Sequence, residues 1–375
     1  MPKEELISAL KSDSLNVLNS IVPVPQELIK YAFKRIKNNK VHKYTNLNYQ
    51  ELLDFYYNES ESIIDLQLSS SHNMKIPQCL IIDNTWKRYD LEKFRFNFIG
   101  STFEPKQSIL DQTDSGFNKL SKEINYTNDE NLRLANIIKN GDNYIFETQP
   151  VYYKNYLKTN MLMDYPFNKE LTLRKKYHSN GSLGLLDNSF FANHLGLNIL
   201  AFTSGGKLIL QQRSSKVAYA PNEIGASISG AVSSSDIKNN SSLADLSIIR
   251  EGIEELGIER NDIKKNSIQF LGLSRELLRG GKPEMFFSMQ VNLSEIELKN
   301  KWKLAKDKWE TKKLIFYTFD EYILNPITQK ESKIFETHIN QLLNDYGNKM
   351  SIPLLTNLAL WIKFKRLYNI NNYIN

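Results

Sequence analysis

The sequence predicts an α/β fold in which helices pack on a mixed sheet, and three observations carry that expectation. A β-hairpin is legible in LGLNILAFT (Leu195 to Thr203), the turn SGG and KLILQQR (Lys207 to Arg213), where glycine supplies the positive φ that a tight turn needs. A strand of small residues, IGASISGAV (Ile224 to Val232), follows. A helix then spans about Leu243 to Leu256, with Ser241 or Ser242 placed to cap it and Gly257 placed to end it.

The remaining elements can be taken in chain order. LISALKSDSLNVLNSIV and QELIKYAFKRIKNN space apolar residues by three and four, with Pro23 and Pro25 between them, which predicts a helical N-terminal region. From QCLIIDNTW (Gln78 to Trp86) the texture changes to short apolar and aromatic runs with strand character, among them FRFNFIG and DNYIFETQ. After the central helix, strands are expected at SIQFLGLS, EMFFSMQVNL and KLIFYTF, and helices at ESKIFETHINQLLNDY and IPLLTNLALWIKFKRL. These changes divide the chain into a helical region over 1–75, a β-containing region over 76–190, and a domain over 191–375 that ends in helices.

Composition narrows the functional classes. With 375 residues, 41% of them hydrophobic, the chain can build a sizeable core. No window approaches the roughly 18 consecutive apolar residues of a membrane span. The start, MPKEELISALKSDS, lacks the apolar centre of a signal peptide, so cytoplasmic residence is expected. Cys79 is the only cysteine, and the five histidines have no ligand spacing. Any metal would therefore be held by oxygen. A net charge of +6 permits an anionic partner without identifying one. The densest basic run, KNKWKLAKDKWETKK, is interrupted by acids and lacks the glycine–aromatic pattern of an RNA-recognition motif, so a nucleic-acid partner is not expected.

The chemistry concentrates in REGIEELGI (Arg250 to Ile258). At about 100° per residue, Leu246, Ile249, Ile253 and Leu256 fall on one arc, and Glu251, Glu254 and Glu255 on another almost opposite. Three carboxylates on neighbouring turns repel one another and oppose the helix dipole, which is unfavourable unless a cation compensates. A solvated helix in which Arg250 pairs with Glu254 is the alternative.

REGIEELGI is similar to the second half of the Nudix box, matching it at Arg250, Glu251, Glu254, Glu255, Gly257 and Ile258, while the preceding hairpin and strand resemble that family's entry with Gly230 as the box glycine. The sequence departs from the pattern at three points. Ser242 stands eight residues before the arginine, where a glutamate is usual. The stretch from Gly230 to Ser242 is about six residues longer than in the family, and Gly230-Ala231 replaces a glycine pair.

The resemblance implies a Nudix α/β/α sandwich and an Mg²⁺- or Mn²⁺-dependent hydrolase of a pyrophosphate joined to a nucleoside. It makes Glu251 and Glu255 the main metal ligands and Glu254 a further ligand or water-positioning base. Arg250 orients the carboxylates, the Gly230 carbonyl is another ligand, and Glu310 is the candidate general base from a later loop. A homodimer is compatible with the family.

NYIFETQPVYYKNYLKTN, with LGLNI, RSSKVAYAP and SIPLLTNLALW, also looks like the Nudix subgroup of UDP-sugar diphosphatases, over residues 80 to 365. That likeness implies a UDP-sugar substrate, with Tyr153, Tyr156 and Asn160 near the nucleotide and Arg213 and Lys216 near its phosphates. The plainer readings are core aromatics and an exposed hairpin edge. Two other functions remain open: a Nudix-fold nucleotide sensor or scaffold with little turnover, and an RNA-directed Nudix enzyme.

Overall fold

The computed structural model describes residues 47–69, 72–85, 94–141, 143–237, 243–319 and 329–374. The two helical patterns expected before residue 40 lie outside the described residues. Twelve strands among the described residues form two sheets. They are β1 (Ile63–Ser69), β2 (His72–Asp83), β3 (Phe94–Phe98), β4 (Glu130–Asn140), β5 (Asn143–Tyr152), β6 (Gly196–Phe202), β7 (Lys207–Arg213), β8 (Ile224–Gly225), β9 (Ile228–Ala231), β10 (Gln269–Glu276), β11 (Lys282–Gln290) and β12 (Thr311–Thr318). The longer helices are α1 (Tyr49–Phe55), α2 (Gln107–Leu120), α3 (Leu243–Leu256), α4 (Glu295–Trp302), α5 (Gln329–Tyr346) and α6 (Ile352–Ile374).

The large sheet runs β1-β2-β10-β11-β6-β7-β12, with β9 on β6 and β8 on β7. Its β11–β6 pair is parallel and the other pairs are antiparallel, so the sheet is mixed, as the sequence predicts. A smaller sheet, β3-β5-β4, lies beside it. Strand alternation sorts the side chains between two cores. Leu200, Phe202, Leu208 and Leu210 join Trp361 and Leu358 of α6 on one face, while Leu197, Ile199, Ala201 and Ile209 join Ile248 and Leu256 of α3 on the other. Leu132, Leu134 and Phe146 of the small sheet complete the second core. Every residue of β6 is buried, because helices and strands cover both of its faces. The result is the expected α/β sandwich.

Two expectations are corrected. The single strand over Ile224 to Val232 is two, β8 and β9, because the chain passes from one neighbour to another at Ala226-Ser227. Gly225 pairs with Gln211 of β7, and Ile228 with Ile199 of β6. Ser227 fixes the crossing: its hydroxyl accepts from the Ala201 amide at 2.7 Å, and its own amide donates to the Ile199 carbonyl at 3.0 Å. This matters for the site, since β6 and β7 pair only at Phe202–Leu208 and then diverge, leaving a fork between them.

The second correction concerns α3. Ile253, expected on its packing face, is 45% exposed, whereas Ile248, Gly252 and Leu256 are buried, with Glu251 and Glu255 beside them. The helix is thus rotated so that two of the three carboxylates face the sheet and only Glu254 stays partly open. Gly252 lies on the buried side of the rotated helix, with Ile228 and Ile258 at van der Waals distance from its Cβ position.

Buried ion pairs tie the segments before β6 to the large sheet. Arg174 bonds Asp164, donates to the Tyr56 hydroxyl at 2.7 Å and reaches the Leu277 carbonyl at 2.6 Å. The Tyr56 hydroxyl lies 2.7 Å from Nδ1 of His178. Burial and the charges of Arg174 and Arg275 push the His178 pKa down to about 3. The unfolded chain takes up a proton at this histidine below about pH 6.5, whereas the folded chain does so only near 3, so acid favours unfolding across that window. Between pH 6.5 and 5 the contribution lost is about 2 kcal/mol. Urea unfolding at the two pH values should show a shallower acid loss for His178→Gln than for the wild type by about that amount.

Candidate functional site

The fork between β6 and β7 opens into a cavity of about 960 Å³. Its walls carry Arg213 at the end of β7, Ser229, Gly230 and Ala231 of β9, the acids of α3, and Glu310 from the turn before β12. Local structure positions each of these. Gly257, at φ +69°, ends α3, and the Ile258 amide turns back to the Gly252 carbonyl at 2.9 Å, fixing the helix end beside the fork.

Glu251 lies directly against Gly230, where a Cβ would overlap its carboxylate. Its Oε1 accepts from the Ala231 amide at 3.2 Å and from Arg250 Nη1 at 2.9 Å. Glu255 Oε2 accepts from Gln211 Nε2 at 2.7 Å, and the Ser229 amide stands 3.3 Å from its other oxygen. Glu254 is tied to Arg250 at 3.0 Å and to Lys306 at 2.8 Å.

The electrostatics separate these acids. Burial pushes Glu251 up to about 7, although Arg250 opposes the shift. Burial also raises Glu255, and the neighbouring Glu310 and Glu251 charges raise it further. Burial raises Glu310, with Arg213 acting against it. Burial pushes Glu254 in the same direction, but the hydrogen bond from Lys306 and the charge of Arg250 prevail and hold it below the ordinary carboxylate range. Three half-compensated carboxylates therefore converge where β9 and α3 meet, each electrostatically dependent on a nearby positive charge.

Arg250 has a partner the sequence reading missed. Its Nε and Nη2 each lie 3.0 Å from a carboxylate oxygen of Asp236, and Nη2 donates to the Ala231 carbonyl at 2.7 Å. Asp236 also accepts from the Ser247 hydroxyl at 2.6 Å and the Ser233 amide at 3.1 Å. Asp236 stands six positions after Gly230, ahead of the stretch that leads into α3, and reaches Arg250 from the side of β9. Asp236→Asn should destabilise the fold by about 1–3 kcal/mol, the scale of a lost hydrogen bond to a charged group, because it leaves the Arg250 guanidinium with a neutral partner, and urea unfolding at pH 7 measures the loss.

The other expected residues separate clearly. Arg213 is present, donating to the Tyr219 carbonyl at 3.1 Å and to Ser229 Oγ at 3.2 Å. Tyr153 and Tyr156 line the cavity. Asn160 does not: its buried amide bonds Asn193 at 2.8 Å and the Arg279 carbonyl at 2.9 Å, bracing the wall from behind. Lys216 is exposed and stands outside the lining.

The donor set suits a hard divalent cation: buried carboxylates with raised pKa values, the β9 backbone at Gly230 with no side chain of its own, and no thiol or imidazole among these acids. As placed, the carboxylates are engaged by Gln211, Arg250 and Lys306, and among the described residues no three acidic, histidine or cysteine side chains form a closed ligand set.

No family model and no curated protein matches the chain. Among solved structures it is similar to DR0079 from Deinococcus radiodurans, with 17% identity over 33% of this chain and 65% of that one, at a TM-score of 0.24. It is also similar to Tm1382, provisionally assigned as a Nudix hydrolase, with 15% identity over 40% of this chain and 71% of that one, again at 0.24. The chain spans just under two thirds of the length of DR0079. No helix of the described residues is long and apolar enough to cross a membrane.

Proposed function

We propose that the protein is a Nudix-type hydrolase that cleaves the pyrophosphate of a nucleoside diphosphate joined to a second moiety, with a UDP-sugar as the favoured substrate and Mg²⁺ or Mn²⁺ as cofactor. One observation carries the reading: Glu251 and Glu255 are buried against Gly230 and Ser229 on the wall of a cavity that also holds Glu310 and Arg213. A divalent ion held by Glu251, Glu255 and the Gly230 carbonyl would neutralise charge on the phosphate oxygens.

The chain's own groups do the rest. Arg213, braced by Tyr219 and Ser229, meets a phosphate oxygen. Glu310 accepts the proton of the attacking water, a role its raised pKa suits, and Glu254, held low by Lys306 and Arg250, stays ionised. Water adds to phosphorus and the bond to the bridging oxygen breaks, giving two phosphate monoesters. The protein would act in the cytoplasm, and a homodimer fits the family.

A second reading, a nucleotide sensor with trace turnover, draws support from Arg250, which engages both Glu251 and Glu254. Product analysis over UDP-sugars, ADP-ribose, dinucleoside polyphosphates and capped RNA, with and without Mg²⁺, tests the assignment. Metal-dependent release of monophosphates supports hydrolysis. Equal trace turnover by wild type and Glu255→Gln on every compound, with ligand binding retained, supports the sensor.

A further inference from the structure

In β7 an apolar run turns polar while it is still buried. Leu208 and Leu210 lie in one core and Ile209 in the other, and Gln211, 1% exposed, follows on the face that Ile209 shares with α3. A buried amide here costs free energy unless its polar atoms find partners. They do: Nε2 donates to the Ser227 carbonyl at 2.6 Å and to Glu255 Oε2 at 2.7 Å, and Oε1 accepts from the Thr311 hydroxyl. These partners leave one orientation, because a flipped amide would turn its oxygen toward a carbonyl and a carboxylate, both acceptors.

The three partners come from separate parts of the site. Ser227 stands at the passage from β8 to β9, Glu255 is on α3, and Thr311 opens β12 directly after Glu310. Glu255 lines the cavity and Gln211 does not, so the amide reaches the carboxylate from behind. A neutral amide suits that place. It holds a carboxylate oxygen through a hydrogen bond and brings no positive charge to compete with a bound cation, as a lysine or arginine would.

We propose that Gln211 is a positioning residue for the metal site: its amide, anchored by Ser227 and Thr311, sets the direction in which the Glu255 carboxylate faces the cavity and registers that acid with the turn carrying Glu310. The inference rests on the hydrolytic reading for the role of Glu255.

Calorimetric titration of the full-length protein with Mn²⁺ at pH 7, without substrate, tests it. Wild type should bind, and Gln211→Met, which keeps the volume and loses the hydrogen bonds, should bind about ten- to a hundred-fold more weakly, the scale for losing a group that orients a metal ligand. Thr311 supplies a readout that packing cannot imitate. Thr311→Val keeps the shape and deletes the hydroxyl, whereas Thr311→Ser keeps the hydroxyl and deletes a methyl. Metal affinity should fall in the first and stay near the wild-type value in the second. In the Gln211→Met background, Thr311→Val should cost no further affinity, because both substitutions act through one amide. Urea unfolding of the metal-free variants establishes that each is folded, and the Thr311 pair carries the test if Gln211→Met is not. Unchanged affinity in folded Gln211→Met, weaker binding by Thr311→Ser than by Thr311→Val, or additive losses would overturn the proposal and leave the metal site standing. Absence of Mn²⁺ binding by wild type would instead remove the metal site, and the proposal with it. Binding of Mn²⁺ without hydrolysis of any nucleotide would count against the hydrolytic reading alone.

Discussion

Glu255→Gln will lower turnover by roughly a hundred- to a thousand-fold, the scale seen when one preorganised electrostatic contact is removed from a reacting centre, and will raise the melting temperature of the metal-free protein. The two effects have one cause. Burial, Glu310 and Glu251 all disfavour the ionised carboxylate of Glu255 in the folded chain. Its folded pKa is raised, so above the ordinary glutamate value the unfolded chain releases the proton more readily and folding stability falls as pH rises. A neutral amide removes that penalty and can still accept from Gln211 and Ser229. A gain of roughly 1 kcal/mol corresponds to about 1–3 °C in a chain of this size. Saturating Mn²⁺ should reverse the order, because binding to the folded state stabilises the wild type and not the variant. Differential scanning fluorimetry with and without Mn²⁺, at pH 7, reads both. A variant less stable than wild type in EDTA, or one stabilised equally by Mn²⁺, would remove Glu255 from the proposed metal site.

What was legible in the sequence depended on whether local pattern or long-range packing set each feature. The β6–β7 hairpin, α3 and the later strands were legible because their periodicity and their turn or cap residues agree locally. The rotation of α3 was not, since an ideal wheel cannot know that the β9 amides of Ser229 and Ala231 lie on the side of Glu255 and Glu251. Asp236 escaped because it reaches Arg250 from the side of β9, a contact that no local spacing shows. Arg279, Lys282, Glu284 and His194 carry no local motif: they come from β11, the turn before it and the residue ahead of Leu195, and only the parallel β11–β6 pairing brings them together. Tyr153 and Tyr156 were placed at the cavity by resemblance, whereas Asn160 serves the wall and Lys216 the surface.

Arg279→Met should destabilise the protein by about 3–5 kcal/mol, the cost of breaking a buried ion network from one side. Arg279 is the only side chain that hydrogen-bonds both Glu276 and Glu284 in this cluster, and Tyr219 stacks on its guanidinium at 3.8 Å. Without it, Lys282 remains as the cation bonded to Glu284, and among the described residues Glu276 keeps the hydrogen bond from the Tyr219 hydroxyl at 3.1 Å. Burial already raises the Glu276 pKa, with Arg279 the chief opposing influence, so the substitution raises it further. The folded variant then holds a proton that the unfolded chain releases above the ordinary glutamate pKa. Its stability deficit must therefore grow with rising pH and shrink on acidification toward about 4.5. Adding Glu276→Gln should recover much of the loss at pH 7, because it neutralises the orphaned charge and keeps the volume. Urea denaturation of the single and double variants at pH 5 and 8 decides the matter. A deficit independent of pH would mean that Arg279 acts through packing on Tyr219, and a double variant no more stable than the single would show that Glu276 is not the group it neutralises.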